Sequence, residues 1–237
     1  MVVSIILLCL GAVMSTVFIV SKVINYSLKT IIFKTIASLF FVALGIALFC
    51  MHSEGHFYFK LFTILGLFFG LLGDVLLGFK YITTKTKKFW ILSGLFAFAI
   101  GHIMYTTGLL LEFYVPGNAL FIVLPFTLPL VFMCIYMFVA KRVGINFGKG
   151  LLPFALFYLY CLTMMLSTSI SMVCLHKFAV TTLVMFFCGA ICFATSDSML
   201  TGAYFKEGQR PKAYMATYSV FYYVAQFVIA FSIFFLA

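Results

Sequence analysis

The sequence predicts an all-α fold: a polytopic transmembrane helical bundle of about eight spans, forming a single domain over residues 1–237. Three observations carry this. Of the 237 residues, 65% are hydrophobic and 8% charged, with a mean hydropathy of +1.24, a composition foreign to soluble domains. Apolar runs near the roughly 20 residues that cross a bilayer recur at 3–20, 31–51, 59–79, 89–112, 118–140, 150–168, 177–204 and 213–236. The cations also separate by position. Loops after odd-numbered runs, with their flanks, hold Lys22, Lys29 and Lys34; Lys80, Lys85, Lys87 and Lys88; Lys141, Arg142 and Lys149; and Lys206, Arg210 and Lys212. Loops after even-numbered runs hold only Lys60 and Lys177, so the division is 13 against 2.

By the positive-inside rule the odd loops face the cytoplasm and both termini lie on the opposite side, which agrees with an even number of spans. The net charge of +10 is then a lining of cations against anionic lipid headgroups. It calls for no nucleic-acid partner, because no extramembrane surface carries it.

Taken in order, the first run lacks a basic stretch ahead of its apolar core and a small-x-small cleavage site, so it reads as helix one and not a signal peptide. The third, TILGLFFGLLGDVLLGFK, spaces Gly66, Gly70, Asp74 and Gly78 four apart on one face. The glycines alone read as close helix packing. Asp74 has two readings: a functional acid, or a structural partner for a snorkelling lysine such as Lys80. In the fourth run, GLFAFAIGHIMYTTGLL, His102 near mid-span and Tyr105 three residues on point the same way. Pro116-Gly117-Asn118 marks the turn to run five, where Pro125 and Pro129, like Pro153 at the start of run six, predict local kinks. Gly144, Gly148 and Gly150 loosen the next loop, and Gly208 and Pro211 the last one.

Run seven, CGAICFATSDSMLTGAYF, sets Asp197 between Ser196 and Ser198, with Thr201 one turn on. Run eight, YSVFYYVAQFVIAFS, steps Tyr218, Tyr222 and Gln226 along one face, with Tyr223 beside it. The remaining histidines, His52, His56 and His176, belong to loops at the far side. The seven cysteines have no CxxC pair and read as small apolar packing residues.

Two acids stand out. The chain has five acidic residues; Glu54 and Glu207 fall in loops and Glu112 near a helix end, which leaves Asp74 and Asp197 at depth. A carboxylate in hydrocarbon costs roughly 2.5–3.5 kcal/mol, so such groups face a bundle interior and carry function. With the charge-derived orientation, both acids, His102, Tyr105, Tyr222 and Gln226 all fall between mid-membrane and the cytoplasmic side, as one shared polar cavity requires.

Four segments then resemble the motif regions of the YhhN-like lysoplasmalogenase family, in order: GDVLL at 73–77, FAFAIGHIMY at 96–105, TSDSML at 195–200 and YYVAQFVI at 222–229. One departure is visible, since Phe221 precedes Tyr222 where the family often has a threonine. The resemblance implies a small eight-helix membrane hydrolase that cleaves the vinyl ether of a lysoplasmalogen, releasing a fatty aldehyde and glycerophosphocholine or glycerophosphoethanolamine. It implies Asp74 and Asp197 as the catalytic residues. His102, Tyr105, Tyr222, Tyr223 and Gln226 are implied to orient or bind substrate, with no metal and no cofactor.

The implied partners are the lysophospholipid substrate and membrane lipids, without an obligate protein partner. The implied location is the plasma membrane or endoplasmic reticulum, with the active site toward the cytoplasmic half. The chemistry suits two acids: one protonates the alkene carbon while the other stabilises the oxocarbenium ion and activates water. Two neighbouring acids do not ionise alike, so one can hold the proton; which one is left open. Rival readings are a proton-coupled transporter, a membrane zinc hydrolase and a non-catalytic lipid-binding member of the same fold. The zinc reading needs several buried histidines where only His102 is well placed.

Overall fold

The computed structural model describes residues 2–52, 55–80, 82, 85–145, 150–205 and 211–236. Glu54, Gly148, Lys149, Lys206, Glu207, Gly208 and Arg210, assigned above to loops, lie outside them. Among the described residues there are eight long helices and no strand: α1 (Val2–Ile24), α2 (Leu28–Met51), α3 (Phe57–Phe79), α4 (Lys87–Phe113), α5 (Leu120–Arg142), α6 (Leu152–Leu175), α7 (Thr181–Phe205) and α8 (Lys212–Phe231), the last followed by a short 3-10 turn. All eight are long and apolar enough to cross a membrane, as the runs predicted.

Boundaries shift most at α6. The run was expected to end near residue 168, yet the helix continues to Leu175 and α7 starts at Thr181. The polar stretch Ser167-Thr168-Ser169 does not break it. Ser167 and Thr168 donate to the carbonyls of Thr163 and Met164 at 2.7 and 2.8 Å, so the hydroxyls are satisfied inside the helix. Pro125 and Pro129 sit within α5 and Pro153 in the first turn of α6. Gly117 and Gly144 adopt φ of +86° and +74°, the left-handed backbone their turns require.

Most neighbours in sequence pack side by side, α3 against α4 most extensively, but α4 packs on α6 rather than on α5. The central helix is α8, which touches α1, α2, α3 and α7, while α5 packs chiefly on α6. The glycines of α3 and α4 explain the closeness of that pair. A Cβ at Gly101 would lie 3.1 Å from the Gly66 carbonyl oxygen, and one at Gly73 would lie 2.7 Å from the Phe98 ring. Without side chains the two backbones approach to a distance an alanine could not permit. The cysteines differ from expectation: Cys161 is buried, but Cys9, Cys50, Cys134, Cys174 and Cys188 face outward and all seven are free thiols.

Candidate functional site: one cavity with two carboxylates

Asp74 lies five residues before the end of α3 and Asp197 eight before the end of α7. Both line a single cavity at the end of the bundle where odd-numbered helices finish and even-numbered ones begin. The cation-rich connections flank this same end. Space between the cavity walls, counting the open solvent at its mouth, is about 1100 Å³. One wall is polar, built by Lys22, Lys34, Asp74, Ser219 and Tyr222 from α1, α2, α3 and α8. Helices α4, α5 and α6 contribute apolar lining, Leu95, Phe98, Met137, Leu156 and Leu159, beside the hydroxyls of Tyr136 and Tyr158.

The two acids have unlike surroundings. Asp74 is 1% exposed; its Oδ1 pairs with Lys34 Nζ at 2.8 Å, and its Oδ2 accepts from the Ser38 hydroxyl at 2.5 Å and the Tyr222 hydroxyl at 2.8 Å. An ammonium and two hydroxyls around one carboxyl group are what a buried carboxylate needs to keep its charge. The ion pair forms with Lys34 of α2 and not with Lys80, the partner named as the structural alternative. Asp197 is also buried. Its Oδ2 accepts from the Tyr158 hydroxyl of α6, and among the described residues no cation lies within ion-pairing distance.

Behind Asp74 runs a line of hydrogen bonds into the core. Gln226 Nε2 donates to the Tyr222 hydroxyl at 3.1 Å, and the Tyr105 hydroxyl donates to Gln226 Oε1 at 2.9 Å. Gly66 and Gly70 make the room for it. A Cβ at Gly66 would overlap the Tyr105 ring, and one at Gly70 would come within 2.5 Å of Gln226 Nε2. Those glycines are therefore packing residues, as read, but what they pack is the support of an acid. Behind Asp197 a second, shorter line leads from Tyr158 to His102 Nε2 at 3.3 Å. His102 is 1% exposed, its ring edge-on to Phe193 at 4.8 Å, and its Nδ1 has no hydrogen-bond partner.

Of the residues singled out in the sequence, Asp74, Asp197 and Tyr222 line the cavity, together with Ser196, Ser198, Thr201 and Tyr218. Tyr105 and Gln226 form a layer beneath Asp74, and His102 stands behind Tyr158. Tyr223 does not line the cavity: its hydroxyl lies beside Ser38 and 3.4 Å from the Lys34 carbonyl oxygen, and its ring meets Phe18 at 5.7 Å, so it holds the α2 residues that partner Asp74. Sequence reasoning missed Lys34, Ser38 and Tyr158. Lys34 and Ser38 carried a signal, being one turn apart and inside the helix start at Leu28; Tyr158, within an aromatic stretch, carried none. No cluster of three or more His, Cys, Asp or Glu side chains forms among the described residues.

The YhhN family profile matches residues 29–233, from the beginning of α2 through the end of α8. No curated protein and no solved structure matches the chain. Both carboxylates, their partners Lys34, Ser38, Tyr158 and Tyr222, and the supporting layer all fall inside the matched residues. A match over nearly the whole sequence decides the matter: the chain belongs to the YhhN family, the family associated with lysoplasmalogenase activity.

Proposed function

We propose that this protein hydrolyses the vinyl ether of a lysoplasmalogen, giving a fatty aldehyde and glycerophosphocholine or glycerophosphoethanolamine. The observation that carries the proposal is the asymmetry of two carboxyl groups on one cavity: Asp74 with an ammonium and two hydroxyl donors, Asp197 with a single hydroxyl partner. That asymmetry supports Asp74 as the carboxylate and Asp197 as the proton-bearing acid.

The steps follow. Asp197 gives its proton to the alkene carbon distal to the ether oxygen, and the cation that forms is shared between carbon and oxygen. Asp74, anionic and close by, stabilises it and takes a proton from the attacking water, leaving a hemiacetal. On collapse, the hemiacetal hydroxyl proton goes to Asp197 while Asp74 passes its proton to the departing glycerol oxygen. Both acids end as they began. The scheme parallels glycoside cleavage, where two carboxyl groups flank an oxocarbenium-like centre. Tyr158 orients Asp197, Tyr222 and Ser38 orient Asp74, and Gln226, Tyr105 and His102 hold the tyrosines.

The cation-rich end of the bundle supports a cavity facing the cytoplasmic half of the membrane, with both termini opposite. The decisive test is aldehyde release from a lysoplasmalogen by the purified protein, beside an ester lysophospholipid of the same headgroup. Wild type should release aldehyde, and Asp74→Asn and Asp197→Asn should each abolish release while remaining folded. Near-wild-type turnover in both variants, or cleavage of the ester alone, refutes the assignment.

A further inference from the structure

Lys22 has no part in the chemistry above, yet it lines the same cavity. It stands in the last turn of α1, closer to the loop end of its helix than Asp74 is to the end of α3. Its Nζ donates to the Ser219 hydroxyl at 2.7 Å and lies 4.0 Å from the centre of the Tyr218 ring. Neither partner neutralises it. Among the described residues no carboxylate is within ion-pairing distance, since Asp74 is taken by Lys34. A half-buried ammonium without a counter-ion is costly to keep unless an anion arrives to complete it.

We propose that Lys22, held in place by Ser219, forms a phosphate subsite that binds the phosphodiester of the substrate's headgroup. The proposal rests on the lysophospholipid reading and makes it specific. In such a lipid only a glycerol separates the ether oxygen from the phosphate. An anchor must therefore lie in the same cavity as the acids and nearer the helix ends than Asp74, where Lys22 stands, two residues from the end of α1. The apolar side chains that α4, α5 and α6 add to the same cavity suit the hydrocarbon chain. The Tyr218 ring and the Ser219 hydroxyl, which accepts from Lys22 Nζ and donates to the Met215 carbonyl at 2.9 Å, hold the ammonium in place. Lys22 precedes the matched residues 29–233, and nothing in that match assigns it a role.

Binding, not turnover, gives the cleanest test, because it survives even if no vinyl ether is cut. The probes are a 1-alkyl-glycero-3-phosphocholine, whose saturated ether cannot be hydrolysed by this route, and the 1-alkylglycerol of the same chain, which lacks the phosphate. Calorimetric titration of the full-length protein in detergent should show the phosphate-bearing lipid binding about tenfold or more tightly than the alkylglycerol, as a charge-assisted contact provides. Lys22→Met should erase that preference with alkylglycerol affinity held, and Lys22→Arg should restore most of it. Inorganic phosphate as competitor separates the sources: displacement of the lipid at millimolar phosphate in wild type but not in Lys22→Met supports a general phosphate site. A lipid preference that phosphate does not displace supports one fitted to the glycerol-linked diester. Equal affinity for the two lipids in wild type overturns the proposal, and so does a loss in Lys22→Met that is the same for both.

Discussion

The Lys34–Asp74 pair offers the sharpest quantitative test of the site. Replacing Lys34 by methionine keeps the side-chain stem but removes the ammonium, leaving Asp74 inside the bundle with two hydroxyl donors. At 2.8 Å the attraction is about 6 kcal/mol for an effective dielectric near 20. Desolvation of both groups offsets much of this, and Lys34 retains some access to the cavity mouth at 15% exposure. Breaking a buried pair by removing one partner typically costs ~3–5 kcal/mol, and the partial exposure points to the lower end. A loss of about 3 kcal/mol in a chain of this size lowers the melting temperature by roughly 6–12 °C. The double variant Lys34→Met/Asp74→Asn strands no charge, so it should regain about 2 kcal/mol over the sum of the single losses. The assay is thermal unfolding of purified protein in one detergent, with aldehyde release measured alongside. If the two single losses add within about 0.5 kcal/mol, Lys34 and Asp74 are not coupled and the account of Asp74 as a held carboxylate fails.

Two further outcomes follow from the same geometry. Tyr158→Phe removes the hydroxyl shared by Asp197 and His102; stability should change by under about 1.5 kcal/mol while aldehyde release falls about tenfold to a hundredfold, and an unchanged rate would remove Tyr158 from the site. Gly70→Ala forces a methyl against Gln226, which is bound to both Tyr105 and Tyr222. It should cost about 1–3 kcal/mol as overpacking does and reduce turnover as well. Gly78→Ala, whose Cβ meets only Ile31 at 3.1 Å, should be milder in both, and a reversed order contradicts the supporting role of Gln226.

Much of this molecule was legible before any coordinates. Helix number and position came from run length because hydrocarbon leaves a spanning segment few alternatives to a continuous helix. The apolar run ends near Ser167-Thr168-Ser169 but α6 does not, because these hydroxyl groups bond back to carbonyls of their own helix. Asp74, Asp197 and Gln226 were visible because a polar group at depth is expensive and has no bland explanation.

Lys34 and Lys22 were counted as loop cations, since lysines near helix ends usually snorkel outward. Only the packing of α2 and α1 around α8 turns them inward. Tyr158 is one tyrosine among thirteen, and nothing in its neighbourhood distinguishes a hydroxyl that meets Asp197 from one that faces lipid. Sequence reasoning finds the groups that hydrocarbon penalises; it misses those whose meaning depends on which helix is opposite.

One wall of the cavity is held less firmly than the rest. Helix α5 supplies Tyr136 and Met137 to it, packs chiefly on α6, and turns Phe126, Leu130, Ile135 and Phe138 outward. With α6 as its chief neighbour it is the wall least tied to the bundle, and its outer face is apolar, as contact with lipid requires. A lysolipid already dissolved in the membrane would reach the acids sideways, without first passing into water. Catalysis would then be a two-dimensional process. At fixed total substrate, turnover in vesicles should fall as inert phospholipid is added, following the mole fraction of substrate in the bilayer and not its concentration per litre. A rate insensitive to that dilution would place the doorway at the aqueous mouth instead.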